Sequence, residues 1–166
     1  MMNWNYYREQ FQYHAKPPHL LFGLRNIPVD VLTLCFKLGI SVTTKDSQIL
    51  QSEVYVPDNN ILDRPTIKVK HTVGDEFHRT RVAIAHSLGH IMLHKPKVYS
   101  HSVVSYSSRL SQEDDEAGKF ALELLMPEEF VFVEGMRLNG NIEKLSRVFG
   151  VPESWMRQRM CQVFPI

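Results

Sequence analysis

The sequence predicts an α+β domain, and three segments lead to that prediction. The segment "TIKVKHT" alternates apolar and polar residues, with Ile67 and Val69 on one face, as a half-buried strand does. Two later segments, "RTRVAIAHSLGHIMLH" and "SQEDDEAGKFALELLMP", carry apolar residues at helical spacing. We therefore expect a short sheet packed against two helices, followed by a helical C-terminal segment.

Composition limits the classes of protein to consider. The chain has 166 residues, 43% of them hydrophobic, and a formal net charge of +1, which fits one domain with a real core. The charge gives no general attraction to nucleic acid or to anionic membranes. The apolar runs are too short to span a membrane and the N-terminus does not resemble a signal peptide, so we expect a cytoplasmic protein. Cys35 and Cys161 predict free thiols in a reducing compartment.

We expect three parts along the chain. Residues 1–26 are aromatic and polar, with a helix-breaking "KPP", and predict an N-terminal arm packed on the body. Residues 27–135 predict the core of the domain. Residues 136–166 contain "NIEKLSRVFGVPESWMRQRM", which predicts a helix, a turn and a second helix, as in a helix-turn-helix or a simple hairpin.

Within the core, start and stop signals delimit the elements. "IPVDVLTLCFKLGISV" predicts an amphipathic helix that ends at Gly39, followed by a strand. "SQILQSEVYVPDNN" predicts a strand with its loop, "VGDEFHRT" a loop, and "YSHSVVSYSS" irregular structure. The first long helix should run from about Thr80 to His94. The second should begin after an N-cap at Ser111 and end at Pro127. Its predicted buried stripe is Ala117, Phe120, Ala121, Leu124 and Leu125.

The first long helix carries two histidines four residues apart. On a helix, positions i and i+4 lie about 5–6 Å apart at Cβ, so His86 and His90 can bind one metal ion. His94 continues the row, but it lies about 12 Å of helix rise from His86, too far to share the ion. We interpret His94 as a residue that packs against the site. The alternative is a pair of histidines without a metal, although burying two unpaired imidazoles would be costly.

The second helix offers carboxylates for a third ligand. The candidates are Glu113, Asp114, Asp115 and Glu116. By helical phase, Glu113 lies in line with the apolar stripe and Glu116 at its edge, beside Phe120. The alternative is a solvated first turn whose charges favour the helix dipole. The pattern alone leaves the choice between Glu113 and Glu116 open.

These segments resemble a known family. "RTRVAIAHSLGHIMLH" resembles the R-x-R-F-T-x-A-H-E-L-G-H-x-x-x-H helix of the ImmA/IrrE metallopeptidases, and "DDEAGKFALELLMP" resembles their E-A-N-x-F-A-x-x-L-L-M-P segment. The first amphipathic helix and the closing helical pair are also similar to the family's. The resemblance spans about residues 27–160 and implies a small zincin-like domain. It implies a zinc site formed by His86, His90 and Glu116.

Two positions depart from the family pattern. Gly118 replaces the usual asparagine, a local change. Ser87 replaces the glutamate that acts as the catalytic base of the H-E-x-x-H motif. A serine hydroxyl cannot accept and return a proton near neutral pH, and general acid–base catalysis contributes about 10²–10⁴-fold. The metal ligands are unaffected, because that glutamate is not a ligand.

Three interpretations of Ser87 follow. The protein is a pseudopeptidase that binds a protein without cutting it. Alternatively, Ser87 is an inactivating substitution in a natively active zinc endopeptidase. The third interpretation, that Glu76 or Glu113 replaces the missing base, ranks last because no spacing supports it. A serine nucleophile is not expected, since the glycine-flanked elbow is missing.

Partners are implied by the resemblance. Members of the family often act beside helix-turn-helix repressors in phage, mobile-element or stress circuits, so the resemblance implies a repressor or an antitoxin-like partner. A rival from another class is a transcription regulator that reads DNA with Arg157 and Arg159. We favour a structural hairpin, because Trp155 and Met156 predict a packed second helix and the charge is not clearly basic.

Overall fold

The computed structural model describes residues 3–13, 16–45, 52–57, 63–70, 77–101 and 111–165. Within these ranges the chain forms eight helices and one four-stranded sheet, an α+β fold as predicted. The helices are α1 Trp4–Tyr13, α2 Pro18–Leu21, α3 Val31–Leu38, α4 Phe77–Leu93, α5 Gln112–Leu125, α6 Glu128–Arg137, α7 Ile142–Phe149 and α8 Glu153–Val163. The strands are β1 Ser41–Lys45, β2 Ser52–Tyr55, β3 Thr66–Lys70 and β4 Val98–His101.

The sheet has the strand order β1-β3-β2-β4. β1 pairs with β3 in parallel, and β2 runs antiparallel to both β3 and β4. Val54, Ile67 and Val69 are buried while their neighbours along the strands are more exposed. This alternation confirms the half-buried strand predicted from "TIKVKHT", because successive side chains on a strand point to opposite faces.

α3 confirms the predicted helix before the sheet. The carboxylate of Asp30 accepts a hydrogen bond from the Thr33 backbone N–H and caps the helix. Gly39 follows the last turn with φ of 77°, in the left-handed region that favours glycine. The buried face of α3 consists of Val31, Leu34, Cys35 and Leu38.

α4 is the central helix, and residues 81–92 are all buried. It packs against α5 on one side and against the sheet on the other. The helix begins at Phe77, about three residues before the predicted start near Thr80, so the loop predicted for "VGDEFHRT" is wrong for residues 77–79. Residues 73–76 lie outside the described part. The apolar residues at helical spacing start only after this first turn, so the sequence pattern does not show the turn, although it contains no helix breaker.

Two further elements differ from the sequence predictions. "YSHSVVSYSS" was predicted irregular, but its first residues, 99–101, lie in β4, and residues 102–108 fall outside the described part. Pairing with β2 provides the backbone hydrogen bonds, and a polar sequence gives no sign of them. The structure also contains α6, which the sequence patterns did not indicate; Phe132, Val133 and Met136 of this helix are exposed.

The acidic helix α5 and the two C-terminal helices agree with the sequence, whereas α1 and α2 lie in the arm, where no helix was predicted. Ser111 caps α5 by accepting from the Asp114 backbone N–H, and the helix ends directly before Met126 and Pro127. Its predicted apolar stripe is buried. α7 and α8 form the predicted helical pair, joined at Gly150.

One hydrophobic cluster joins all three predicted parts of the chain, from Trp4 and Phe22 to Leu145 and Met156. The buried guanidinium of Arg81 connects the second and third parts further, because it donates to the carbonyls of Val29 and Gly150. The boundaries at residues 26/27 and 135/136 stay predictions. Among the described residues, no helix has both the length and the apolar character needed to cross a membrane.

Candidate metal centre

α4 brings the two predicted histidine ligands together. The Nε2 atoms of His86 and His90 lie 3.2 Å apart. His90 is fully buried and His86 is 7% exposed. Two ring nitrogens converge here because one helical turn separates the residues and places both side chains on the same face.

Asp114 of α5 completes the group. Its Oδ1 lies 3.4 Å from His90 Nε2 and 3.8 Å from His86 Nε2. The helix cap orients this carboxylate, since Ser111 Oγ donates to Asp114 Oδ2 at 2.7 Å and accepts from the Asp114 backbone N–H at 3.1 Å. Within the described residues, one cluster has donor atoms close enough together to hold a metal ion, and it consists of His86, His90 and Asp114.

A close contact between α4 and α5 makes this arrangement possible. Gly89 faces Ala117 so closely that a Cβ atom added at Gly89 would lie 2.9 Å from Ala117 Cα and 3.0 Å from its carbonyl oxygen. Only glycine permits this approach. Because Ala117 follows Asp114 by about one helical turn, the contact also fixes the distance between the carboxylate and the histidines.

The spacing of the three donors suits a metal ion. Two donors bound tetrahedrally at about 2.0–2.2 Å, the bond lengths of zinc to nitrogen and oxygen, lie about 3.3–3.6 Å apart. The observed separations of 3.2, 3.4 and 3.8 Å bracket that range. Two imidazoles and one carboxylate are also the donor types of catalytic zinc sites. The residues present therefore fit a metal ion.

Glu116, the ligand implied by the family resemblance, lies elsewhere. Its Oε2 is 3.1 Å from His94 Nε2, and its Oε1 accepts from Gln112 Nε2 at 2.8 Å. Hydrogen bonds from Gln112 and His94 lower the pKa of the Glu116 carboxyl. Each helical residue advances the side chain by about 100°, so the side chains of Asp114 and Glu116 leave the helix about 160° apart. The structure thus brings Asp114, and not Glu116, to the histidine pair.

The other two carboxylates of the first turn form surface ion pairs. Glu113 Oε2 lies 2.7 Å from Lys97 Nζ, and Asp115 Oδ2 lies 2.6 Å from Lys119 Nζ. This agrees with the expectation that part of the acidic cluster is a solvated first turn. Glu113, the alternative third ligand and alternative base, is not a member of the donor cluster among the described residues. Glu76 lies outside the described part.

Ser87 is fully buried and directly follows His86, the first of the two candidate metal-binding histidines. Its hydroxyl donates to Ser52 Oγ of β2 at 3.2 Å. The position that follows the first histidine is therefore packed between α4 and the sheet. A serine hydroxyl cannot accept and return a proton near neutral pH as a carboxylate can, so this side chain is not a general base.

Tyr99 and Arg8 border the site, and the sequence patterns did not identify either. The Tyr99 ring stacks on His90 with centroids 4.2 Å apart, and its hydroxyl donates to the Lys95 carbonyl. Burial and the nearby Glu113 charge raise the pKa of the Tyr99 phenol to about 12. Arg8 donates to the His94 carbonyl at 2.6 Å. Tyr99 was missed because it lies in the stretch predicted irregular, and Arg8 because the arm carries no motif.

The C-terminal pair is integrated into the core. Trp155 and Met156 are buried, as predicted. Arg159 is also buried, and it donates to the Met126 carbonyl at 2.9 Å and to Gln162. Arg157 is exposed and forms an ion pair with Glu153. Of the two arginines considered for DNA binding, one therefore serves the packing of α8.

The fold and the site together define a class of protein. An α+β domain whose central helix carries H-x-x-x-H, with a carboxylate from the next helix facing the pair, has the zincin-like metallopeptidase arrangement. The family model for Peptidase M78, the IrrE N-terminal-like domain, matches residues 35–160, and the chain belongs to this family. This confirms the ImmA/IrrE resemblance. A search of curated proteins gave no significant match.

Proposed function

We propose that this protein is a zinc-binding, catalytically impaired member of its family that binds and regulates a protein partner in the cytoplasm. One observation carries the proposal: the donor cluster of His86, His90 and Asp114 is intact, while the position of the base holds Ser87, buried against Ser52. If the protein no longer used the metal site, we would expect its metal-binding residues to be replaced as well as the base.

The chemistry of the site supports this view. A bound zinc ion supplies a Lewis acid that polarises a carbonyl and lowers the pKa of a bound water. His86, His90 and Asp114 would hold it. No group at Ser87 accepts a proton or passes it to a leaving amine, so we expect peptide hydrolysis to be slower by about 10²–10⁴-fold or more.

The family resemblance suggests the kind of partner. A helix-turn-helix repressor or an antitoxin-like protein, of the kind found in phage or mobile elements, would be sequestered instead of cut. The sheet offers one route for such binding: β4 is the last strand in the order of the described sheet, and an edge strand can pair with an extended segment of a partner.

Metal content tests the first half of the proposal. Protein purified without added zinc should contain about one zinc ion per chain by elemental analysis. His86→Ala should lose it. Asp114→Ala and Glu116→Ala distinguish the two candidate third ligands, because the larger loss of affinity identifies the carboxylate that binds. A folded wild-type protein that binds no zinc would refute the metal site.

Restoring the carboxylate tests the second half. Ser87→Glu should gain proteolysis of purified helix-turn-helix repressors from the source organism, and Ser87→Gln, of the same shape, should not. Because Ser87 is fully buried and overpacking costs about 1–3 kcal/mol, each variant should also be made with Ser52→Gly to provide room. Proteolysis by the unchanged chain would show that it is an active endopeptidase.

The same variants separate the remaining alternative. If Ser87 is an inactivating substitution in a native peptidase, Ser87→Glu should restore complete cleavage of the substrate. The unchanged chain should then bind that substrate in a stable complex without cleaving it. Weak restored cleavage together with tight binding favours a regulatory pseudopeptidase. A DNA-binding regulator would instead bind duplex DNA with an affinity that falls steeply with salt.

A further inference from the structure

The histidine pair is part of a longer row. His94 Nδ1 lies 2.8 Å from His90 Nδ1, and His94 Nε2 lies 3.1 Å from Glu116 Oε2. His94 is 6% exposed and His90 is fully buried. A continuous line of contacts therefore runs from a carboxylate at the surface, through His94, to the ring of a metal ligand.

Hydrogen-bond chemistry gives this line a direction. An ionised carboxylate only accepts, so the Glu116 oxygen requires a proton on His94 Nε2. A neutral imidazole carries one proton, which leaves His94 Nδ1 as an acceptor. His90 Nδ1 must then donate to it. The lone pair of neutral His90 is consequently on Nε2, the atom 3.4 Å from Asp114 Oδ1.

We infer that Glu116 and His94 are positioning residues that fix the tautomer and the ring orientation of His90 for metal binding. The inference rests on the proposed metal site. It gives Glu116 a function other than ligation, and it explains why the row extends one turn beyond the two histidines that converge on Asp114. Substituting a residue that hydrogen-bonds to a metal-bound histidine weakens metal affinity by about 10–100-fold.

Neighbouring contacts hold each of the three residues of the line in place. Arg8 donates to the His94 carbonyl at 2.6 Å, and the Tyr99 ring stacks on His90 at 4.2 Å. Gln112 donates to the second oxygen of Glu116 at 2.8 Å and restrains that carboxylate. The line is therefore supported at its buried end and at its exposed end.

The tautomers can be measured without any metal. Nuclear magnetic resonance of metal-free protein with isotope-labelled histidine nitrogens should show the proton of His90 on Nδ1 and that of His94 on Nε2. Glu116→Ala should remove this preference at His94 and weaken it at His90. A wild-type His90 with its proton on Nε2 would overturn the inference, whether or not the protein binds zinc.

Zinc affinity gives the second measurement, by competition with a chelator. His94→Phe, which keeps an aromatic ring, should weaken binding by about 10–100-fold, and Glu116→Ala by about tenfold. Because both act through one line, the double variant should bind no more weakly than His94→Phe alone. Glu116→Gln, which retains an acceptor oxygen, should recover part of the affinity.

Asp115→Asn is the matched control. It removes one negative charge from the same turn of α5, where Asp115 pairs with Lys119 on the surface. Its zinc affinity should stay within about twofold of wild type. An equal loss in the control and in Glu116→Ala would show a general charge effect and overturn the inference. Absence of zinc binding in wild type would overturn the proposed metal site, while the tautomer measurement would still show whether Glu116 and His94 fix the tautomer of His90.

Discussion

Replacing Gly89 with alanine tests whether the contact between α4 and α5 sets the geometry of the metal site. The new Cβ would lie 2.9 Å from Ala117 Cα, whereas ordinary contacts begin at 3.4 Å. The helices must therefore separate by about 0.5 Å, because the contacting atoms are backbone and cannot rotate away. Asp114, one turn before Ala117, would move with α5.

Both stability and metal binding should change. Overpacking of a core costs about 1–3 kcal/mol, and the better helix propensity of alanine returns up to about 1 kcal/mol. We expect the metal-free variant to lose about 1–2 kcal/mol of unfolding free energy, measured by urea denaturation. Metal-binding groups must be held within about 0.5 Å of the geometry that the metal requires, and the expected shift of Asp114 is of that size. Zinc affinity, measured by competition with a chelator, should therefore fall about tenfold or more.

A second substitution sharpens the experiment. Ala117→Gly in the Gly89→Ala background removes only the Ala117 Cβ, which the new atom would meet at 3.2 Å. The closer contacts with the Ala117 backbone remain, so this change should not restore stability or affinity. A Gly89→Ala protein as stable as wild type, with unchanged zinc affinity, would refute the argument that close helix packing positions Asp114.

Three further outcomes follow from buried groups. Arg81→Ala should lower the unfolding free energy by about 2–4 kcal/mol, because it leaves the carbonyls of Val29 and Gly150 buried without their donor. A loss under about 0.5 kcal/mol in urea denaturation would contradict this. Burial raises the pKa of the Cys35 thiol to about 12, so as pH rises the thiol ionises first in the unfolded chain. The unfolding free energy should therefore decline between about pH 8.5 and 12, with a slope of about 1.4 kcal/mol per pH unit. The slope should be shallower in Cys35→Ala, and an identical slope would exclude Cys35 as its source. A thiol reagent should modify exposed Cys161 in the native protein well before Cys35, and equal rates would contradict the burial of Cys35.

The sequence was informative wherever local periodicity and capping decide the structure. α3, α5 and the α7–α8 pair carry apolar residues at helical spacing and end at Gly39, Pro127 or Gly150, which stop helices through their own backbone preferences. The convergence of His86 and His90 also follows from helical spacing alone. β4 forms because it pairs with β2, a distant segment of the chain. Such pairing leaves no local pattern in a polar segment, so the sequence predicted irregular structure there.

The third ligand shows the limit most clearly. Helical phase identified a face of α5 and led to Glu113 and Glu116, whereas the structure places Asp114 opposite the histidines. Choosing among four consecutive carboxylates requires the rotation and distance of α5 relative to α4, which the Gly89–Ala117 contact and the Ser111 cap determine. The sequence by itself determined the family, the histidine pair and the presence of Ser87 where the H-E-x-x-H motif has its glutamate. Only the tertiary structure decided which carboxylate meets the pair and which one reaches His94, because that choice depends on how two helices dock.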